Sequence, residues 1–320
     1  MYSLNKIPLF QELETSEHIL IAGCGGGFDI YSGIPLMQTL LEMGKKITLA
    51  NFSFAWLDDT TSEMVMPYCY KINSKDEDQS GRNYFPEKHL CTWLEKQGLE
   101  IDVYAFERKS VIPLREAYNY ILEKHSIDTV IAVDGGTDCL MFGDEELLGT
   151  PQEDVSSLAA VYQSTVEKKY LVSIGFGIDD FHGVSHFRFL ENIATLSKDG
   201  AYLGLFQLMS SMKEAALYAD LISFVNEQMS HQKSIVSNSI LSALENHYGN
   251  YHATNRTEGS DLWINPLMTI HWCFDLNGVV KRLAYYDYIK DAYSIGDFNQ
   301  GLSAYREDLE ALRLNKSIPL

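Results

Sequence analysis

Positive charge is scarce in this sequence. It holds 25 lysines and arginines against 44 aspartates and glutamates, which gives a formal net charge of −19 at pH 7. Such a surplus of negative charge repels phosphate backbones and anionic lipid at long range. We therefore expect neither nucleic acid nor a membrane surface as a partner, although glycine-rich backbone can still offer local positive potential to a small anion.

Long apolar runs and paired cysteines are missing as well. No uninterrupted apolar run approaches the roughly 20 residues needed to cross a bilayer, and no basic N-terminal segment leads into an apolar core. The five cysteines are odd in number and include no CxxC pair, which argues against a zinc or redox centre. We expect a cytoplasmic protein whose thiols are buried and reduced.

Short apolar runs alternate with amphipathic stretches through the first half of the chain. The runs lie at residues 18–22, 47–51, 101–106, 129–133 and 170–174. This alternation predicts βαβ units. We therefore predict the α/β fold class. The expected architecture is a Rossmann-like three-layer fold with a mostly parallel sheet and a helical C-terminal elaboration.

The second half of the chain changes to longer helical patterns. Helices are expected at 211–229 and 234–248, a β-like run at 263–274 and a last helix at 302–314. No linker rich in Gly, Ser or Pro marks a boundary between domains. We expect a single domain over 1–320, in which residues 1–200 form a nucleotide-binding-like core and residues 201–320 complete the sheet.

Local signals mark several segment boundaries. Pro86 opens a helix that Gly98 closes. Thr150, Pro151 and Glu153 have the pattern of a capping box, which predicts the start of another helix. Residues 52–85 lack periodicity and are polar in the middle, which favours a mobile excursion that acts as a lid.

The first strand candidate runs directly into the sequence "GCGGGFD". Its glycines are Gly23, Gly25, Gly26 and Gly27. Because glycine has no Cβ, a ligand can approach the backbone of these residues closely. We therefore predict a ligand-binding loop. The dinucleotide fingerprint GxGxxG would need glycine where Phe28 stands, and Asn51 takes the place of the acid that holds a ribose diol. We keep Asn51 as a candidate cofactor contact, and NAD and S-adenosylmethionine enzymes stay open as alternatives.

Asp29, at the end of this loop, has two interpretations. It can cap the helix that follows. Pro35 tolerates only the first helical turn, however, so the helix start moves towards Ser32 or Gly33 and Asp29 is left facing the ligand. We take it as a candidate general base that activates a water.

The fourth strand candidate ends in "DGGTD". Loops at the carboxyl ends of parallel strands meet at one edge of a sheet, and ligands bind there. The side chains that converge if the loops after the first, fourth and fifth strands adjoin are Asp29, Asp134, Asp138, Asp179, Asp180 and His182. Clustered carboxylates need a cation, shared protons or a donor-rich ligand, and magnesium or calcium suits oxygen ligands.

We predict specific roles for these residues. Asp134 and Asp138 are the candidate metal ligands, and Asp138 is also a candidate catalytic residue. Gly135, Gly136 and Thr137 between them are candidate ligand contacts. Asp180 is a second candidate base, and His182 is a candidate acid or base. His182 and His186 stand four apart, but Gly183 between them argues against a helical zinc pair.

Three further acids at 144–146 have a simpler explanation. They precede the helix predicted after Thr150, where negative charge is favourable near the N-terminus. A solvated face is therefore the expectation for all three.

Two motifs resemble the uncharacterised prokaryotic family known as domain of unknown function 1152. The resemblance is anchored over residues 19–180. The matching positions are Gly25, Gly26, Gly27 and Asp29, then Asp134, Gly135, Gly136, Asp138, Gly143, Asp144, Glu145, Thr150 and Pro151. The resemblance implies a Rossmann-like α/β fold and no established activity.

Together these features predict an enzyme, either a hydrolase or a group transferase. It would bind a nucleotide or a phosphorylated sugar through the glycine-rich loop and use an acidic crevice with a divalent cation. No cysteine, serine or lysine lies in a recognisable nucleophile motif. A non-catalytic nucleotide-binding sensor is the alternative. We assign no organic cofactor and leave open whether the protein is a homo-oligomer.

Overall fold

A computed structural model describes residues 2–318 of the 320-residue chain. Within them the strands are β1 (His18–Gly23), β2 (Lys46–Phe52), β3 (Glu63–Met66), β4 (Cys69–Ile72), β5 (Val103–Phe106), β6 (Thr129–Asp134), β7 (Lys168–Ser173), β8 (Tyr202–Gln207), β9 (Gly249–Asn250), β10 (Trp263–Ile264) and β11 (Ile270–Asp275). The helices are α1 (Pro8–Glu12), α2 (Asp29–Ser32), α3 (Ile34–Glu42), α4 (Pro86–Lys96), α5 (Val111–His125), α6 (Pro151–Gln163), α7 (His186–Lys198), α8 (Lys213–Gln228), α9 (Ile235–Leu244), α10 (Leu276–Arg282), α11 (Tyr286–Ile289) and α12 (Ile295–Glu307).

A mixed sheet of nine strands organises the described residues, in the order β3-β4-β5-β2-β1-β6-β7-β11-β8. The five central strands, β5-β2-β1-β6-β7, are parallel. The strands added at both edges are antiparallel. The prediction of an α/β protein is confirmed, whereas a mostly parallel sheet is right for the centre and wrong for the edges.

The antiparallel edge next to β5 corrects the interpretation of residues 52–85. Residues 63–72 pair as the hairpin β3–β4, and β4 continues onto β5. The hairpin turns through Pro67 and Tyr68, and Tyr68 has a left-handed φ of 67°, as the second central residue of a type II turn requires. This part of the excursion therefore belongs to the sheet and is not a lid.

Helices cover both faces of the sheet. Alternate residues of a strand point to opposite faces, so Leu20 and Ala22 of β1 pack with α5 and α6. Ile19 and Ile21 pack on the other face with α3 and α8. The five cysteines are buried and free, as the sequence predicts. Among residues 2–318, no helix combines the length and apolar character that crossing a membrane requires.

Two expectations for the C-terminal part are wrong in their boundaries. The β-like run at 263–274 is interrupted because Pro266 opens a 3₁₀ turn between β10 and β11. The last helix starts earlier than expected because Ser294 and Asp297 form a capping box, and α12 then ends at Glu307.

The residues that follow α12 return to the acidic segment at 144–146. Glu145 is fully buried and accepts hydrogen bonds from the amides of Phe142 (3.0 Å) and Gly143 (2.8 Å). Arg313 places Nη2 at 2.7 Å from both Asp144 Oδ1 and Glu145 Oε1. A solvated face is therefore the wrong explanation for Glu145, which is the buried partner of an ion pair.

We predict that Arg313→Ala destabilises the fold. It leaves the charge of Glu145 buried without its cation, and we expect a loss of about 2 to 4 kcal/mol in the free energy of unfolding, measured by urea denaturation. The control is Lys6→Ala, which removes an exposed ion pair with Glu14 and should cost less than about 1 kcal/mol. Equal effects for the two variants would contradict this role for Arg313.

Candidate metal centre

A cavity of about 700 Å³ lies at the carboxyl ends of β1 and β6. The chain order of the parallel strands reverses between these two neighbours, and ligands of open α/β sheets bind at such a point. Residues from the loops after β1, β6 and β7 line the cavity, together with the start of α6. The three loops thus come together in space.

Three aspartates from different elements converge in this cavity. Asp29 begins α2, Asp134 ends β6 and Asp154 lies in the first turn of α6. One carboxylate oxygen from each lies within 4.8 Å of the other two. The exposed fractions of the residues are 9%, 2% and 2%. We call these residues the carboxylate triad.

The triad has unused hydrogen-bonding capacity. Oδ2 of Asp134 and Oδ2 of Asp154 are buried and accept no hydrogen bond from the described residues. Asp29 differs, because its Oδ2 accepts a hydrogen bond of 2.5 Å from the amide of Gly25. Buried polar atoms are normally paired, so the two free oxygens point to a missing proton or cation.

Electrostatics lead to the same conclusion. Burial, with the charge of Asp138 next in importance, raises the pKa of Asp134 and Asp154 well above the usual range. Burial also raises the pKa of Asp29 to about 8, and Asp138 adds to this. Two unit charges about 4 Å apart repel by about 4 kcal/mol at an effective dielectric constant of about 20. Three ionised carboxylates therefore need a compensating cation.

Two glycines leave the space that the three carboxylates occupy. A Cβ on Gly25 would overlap Asp154 Oδ1 and Asp29 Oδ2 and would lie 3.1 Å from Asp134 Oδ1. A Cβ on Gly135 would lie 2.7 Å from Asp29 Oδ1. Both positions need glycine because any side chain would enter the triad.

Two further aspartates flank the triad and are held by hydrogen bonds. Asp138 Oδ2 accepts from Thr150, from its amide at 2.8 Å and its hydroxyl at 3.0 Å. Asp179 Oδ2 accepts from the amide (2.5 Å) and hydroxyl (3.1 Å) of Thr137. The predicted capping box at Thr150 is wrong, because this hydroxyl binds Asp138 instead of the helix backbone.

Three predicted ligand contacts lie behind the cavity wall and do not line it. Asn51 donates from Nδ2 to the carbonyl of Gly27 (2.9 Å) and to Glu87 Oε1 (2.6 Å). Gly23 packs against Asn51 and the backbone of α2. Thr137 is occupied by Asp179. In contrast, Gly25, Gly26, Gly27, Asp29, Asp134, Gly135, Gly136 and Asp138 all line the cavity.

The last predicted residues lie in the loop after β7. His182 is exposed and lines the cavity. The side chain of Asp180 is 67% exposed, lies 3.8 Å from His186 Nδ1 and is outside the cavity lining. The structure thus brings His182 to the cavity and leaves Asp180 on the surface.

Sequence reasoning missed Asp154. The residue shares one helical face with Leu158 and Val161, and both are fully buried. A lone acid on the apolar face of an amphipathic helix is an available signal, because such a position rarely takes a charge without a partner.

We predict that Gly25→Ala disrupts the triad. The added methyl group must displace carboxylates, so we expect a loss of at least about 1 kcal/mol in unfolding free energy and loss of divalent-cation stabilisation in thermal unfolding. Gly296→Ala is the control, since its nearest neighbour to a Cβ would be Ser294 Oγ at 3.4 Å. Retention of cation stabilisation by Gly25→Ala would refute the packing described.

Because the pKa of Asp29 is raised, we predict that the stability of the metal-free protein, measured with a chelator present, depends on pH. The Asp29 pKa of about 8 in the folded chain exceeds the value of about 3.9 expected in an unfolded chain. The folded chain binds the proton of Asp29 more tightly than the unfolded chain does. The stabilisation that results is complete below about pH 4 and is lost as the pH rises through 8. The unfolding free energy of the wild type, relative to Asp29→Asn, should therefore fall between pH 4 and 8. A difference that is constant with pH would rule this out.

Comparisons with known proteins give one match. Neither the curated proteins nor the solved structures yield a match to this chain. A family model described as "Protein of unknown function (DUF1152)" matches residues 60–308, which include Asp134 and Asp154 and begin after the glycine-rich loop. Since the match covers well over half of the sequence, the chain belongs to the DUF1152 family of proteins of unknown function.

Proposed function

We propose that this protein is a divalent-metal-dependent enzyme with a Rossmann-like fold that hydrolyses, or transfers a group from, a nucleotide or phosphorylated sugar. One observation carries the proposal. Three buried carboxylates meet in a ligand-sized cavity where the strand order reverses, and two of them have an oxygen that accepts no hydrogen bond from residues 2–318. Ligand cavities of about 300 to 1,000 Å³ are usual.

The order of the parallel strands supports the Rossmann-like part of the proposal. Numbered along the chain among themselves, the five central strands lie in the order 3-2-1-4-5. This matches the first five strands of the doubly wound nucleotide-binding fold, which places its ligand at the point beside the first strand where the order reverses. The glycine-rich loop follows that strand here.

The triad has the chemistry of a magnesium or calcium site. Both cations prefer oxygen ligands at about 2.0 to 2.6 Å, so opposite ligand oxygens stand about 4 to 5 Å apart. The separations within the triad, up to 4.8 Å, fit this range. Bound there, the cation would polarise a phosphoryl oxygen or lower the pKa of a water.

The glycine-rich loop offers donors to the phosphate. Gly26 and Gly27 have positive φ and line the cavity. Within residues 2–318, their amides donate to no protein acceptor. The amide of Gly25 is already used by Asp29, so we assign phosphate contacts to Gly26 and Gly27 only.

Roles for the remaining side chains follow from their contacts. Asp29 is a metal ligand in this proposal, so we assign the role of general base to Asp138. Thr150 holds Oδ2 of Asp138 and leaves Oδ1 for a water. His182 exchanges a proton with the leaving group. An NAD enzyme is less well supported, because Asn51 points to Gly27 and Glu87 instead of a ribose.

The test is thermal unfolding with Mg²⁺ or Ca²⁺ and a panel of nucleotides and sugar phosphates, followed by assay of phosphate release. A ligand at about 100 times its dissociation constant should add about 2.7 kcal/mol. Asp154→Asn should lose the cation effect and at least about a hundredfold in turnover.

Asp287→Asn is the matched control, since its side chain is 81% exposed and pairs with Lys290 on the surface. Stabilisation without any turnover would favour the nucleotide-binding sensor over the enzyme. No stabilisation by any cation, with or without ligand, would refute the metal site.

A further inference from the structure

Two arginines line the same cavity without a carboxylate partner. Arg82 and Arg256 are both exposed and contribute to the cavity wall. Within residues 2–318, no acidic oxygen lies within 4.0 Å of either guanidinium, although acids outnumber basic residues 44 to 25. Their positive charge is therefore available to a ligand. We call them the arginine pair.

The turn between α8 and α9 holds both members of the arginine pair. Gln232 donates from Nε2 to the carbonyl of Arg82 at 3.1 Å. Arg256 donates from Nη1 to the carbonyl of Lys233 at 2.9 Å. Arg82 and Arg256 come from distant parts of the chain, and these two adjacent residues bring them to one side of the cavity.

The guanidinium of Arg82 has a defined position. It lies 3.7 Å from the ring centroid of Trp56, which also lines the cavity and is 51% exposed. Stacking on an aromatic face orients a guanidinium and leaves its edge donors free. Such a fork can bind two oxygens of one phosphate.

Tyr84 links the arginine pair to the carboxylate triad. Its hydroxyl lies 2.8 Å from the position that a Cβ of Gly27 would take. Burial and the charge of Glu87 raise its pKa; Arg256 lowers it and Asp29 raises it. Tyr84, the arginine pair and the carboxylate triad all line the same cavity, so the two charged groups border one ligand-binding space.

We propose that the arginine pair is an anion subsite, distinct from the carboxylate triad, so that the ligand carries at least two phosphate-type groups. One group faces the cation at the triad, and the other is bound by Arg82 and Arg256. The proposal rests on the proposed function and narrows the substrate class to nucleoside diphosphates or triphosphates and bisphosphorylated sugars.

The test compares ADP with AMP as probes, by calorimetry in Mg²⁺ and by Trp56 fluorescence. The wild type should bind ADP about tenfold or more tightly than AMP, because hydrogen bonds to charged groups are strong. The double variant Arg82→Gln/Arg256→Gln should lose this preference. Its Mg²⁺-dependent thermal stabilisation should persist, which shows that the chain is folded and the triad intact.

Two controls localise the effect. Arg282→Gln makes the same substitution at one exposed arginine, which pairs with Asp199 outside the cavity, and should keep the ADP preference. Trp56→Phe should remove the fluorescence response to ADP, because Arg82 lies on that ring.

The outcomes separate this inference from the proposed function. Metal-free titration with inorganic pyrophosphate should still give binding that the double variant loses. If that binding appears but no cation binds, the metal site fails and the arginine subsite stands. Equal binding of ADP by the wild type and the double variant, or no binding of ADP or pyrophosphate by the wild type, would overturn the arginine subsite.

Discussion

Mutual repulsion among three buried carboxylates determines how the candidate metal centre is built. Asp29, Asp134 and Asp154 are brought within 4.8 Å by α2, β6 and α6, elements that the apolar core fixes in place. Such a cluster persists only with protons or a cation. Gly25 and Gly135 must be glycines because a Cβ at either position would overlap carboxylate oxygens of the triad.

Polar groups around the triad orient or neutralise the neighbouring acids. Thr150 and Thr137 hold Asp138 and Asp179 in fixed orientations beside the triad. The next acids along the chain, Asp144 and Glu145, are neutralised separately by Arg313. A net charge of −19 repels phosphorylated ligands at long range, and in the proposed function a bound cation and the arginine pair would offset that repulsion. Acidic side chains therefore have three different roles within a short stretch of sequence.

The sequence predicts the centre of the fold better than its edges. Five apolar runs identify the parallel strands because buried strands are apolar along their whole length, whereas the short strands of the β3–β4 hairpin carry no such pattern. Asp134 and Gly135 can be recognised as site residues in the sequence because they lie together in a short motif at the end of a strand. Asp154 depends on how α6 packs against β6, and Glu145 depends on Arg313, which lies 168 residues away. The apolar face of α6 signals that Asp154 is buried, but the residues that Asp154 and Glu145 contact are determined by tertiary packing and cannot be read from the sequence.

The proposed divalent cation binds between Asp29, Asp134 and Asp154. The most direct measurement is an anomalous difference map from crystals of the wild type soaked in Mn²⁺, which takes the same oxygen ligands as magnesium. We expect a peak in contact with all three carboxylates, and we expect it to be absent from crystals of Asp154→Asn. A fully soaked wild-type crystal with no peak at the triad, or a peak that persists in Asp154→Asn, would rule out this site.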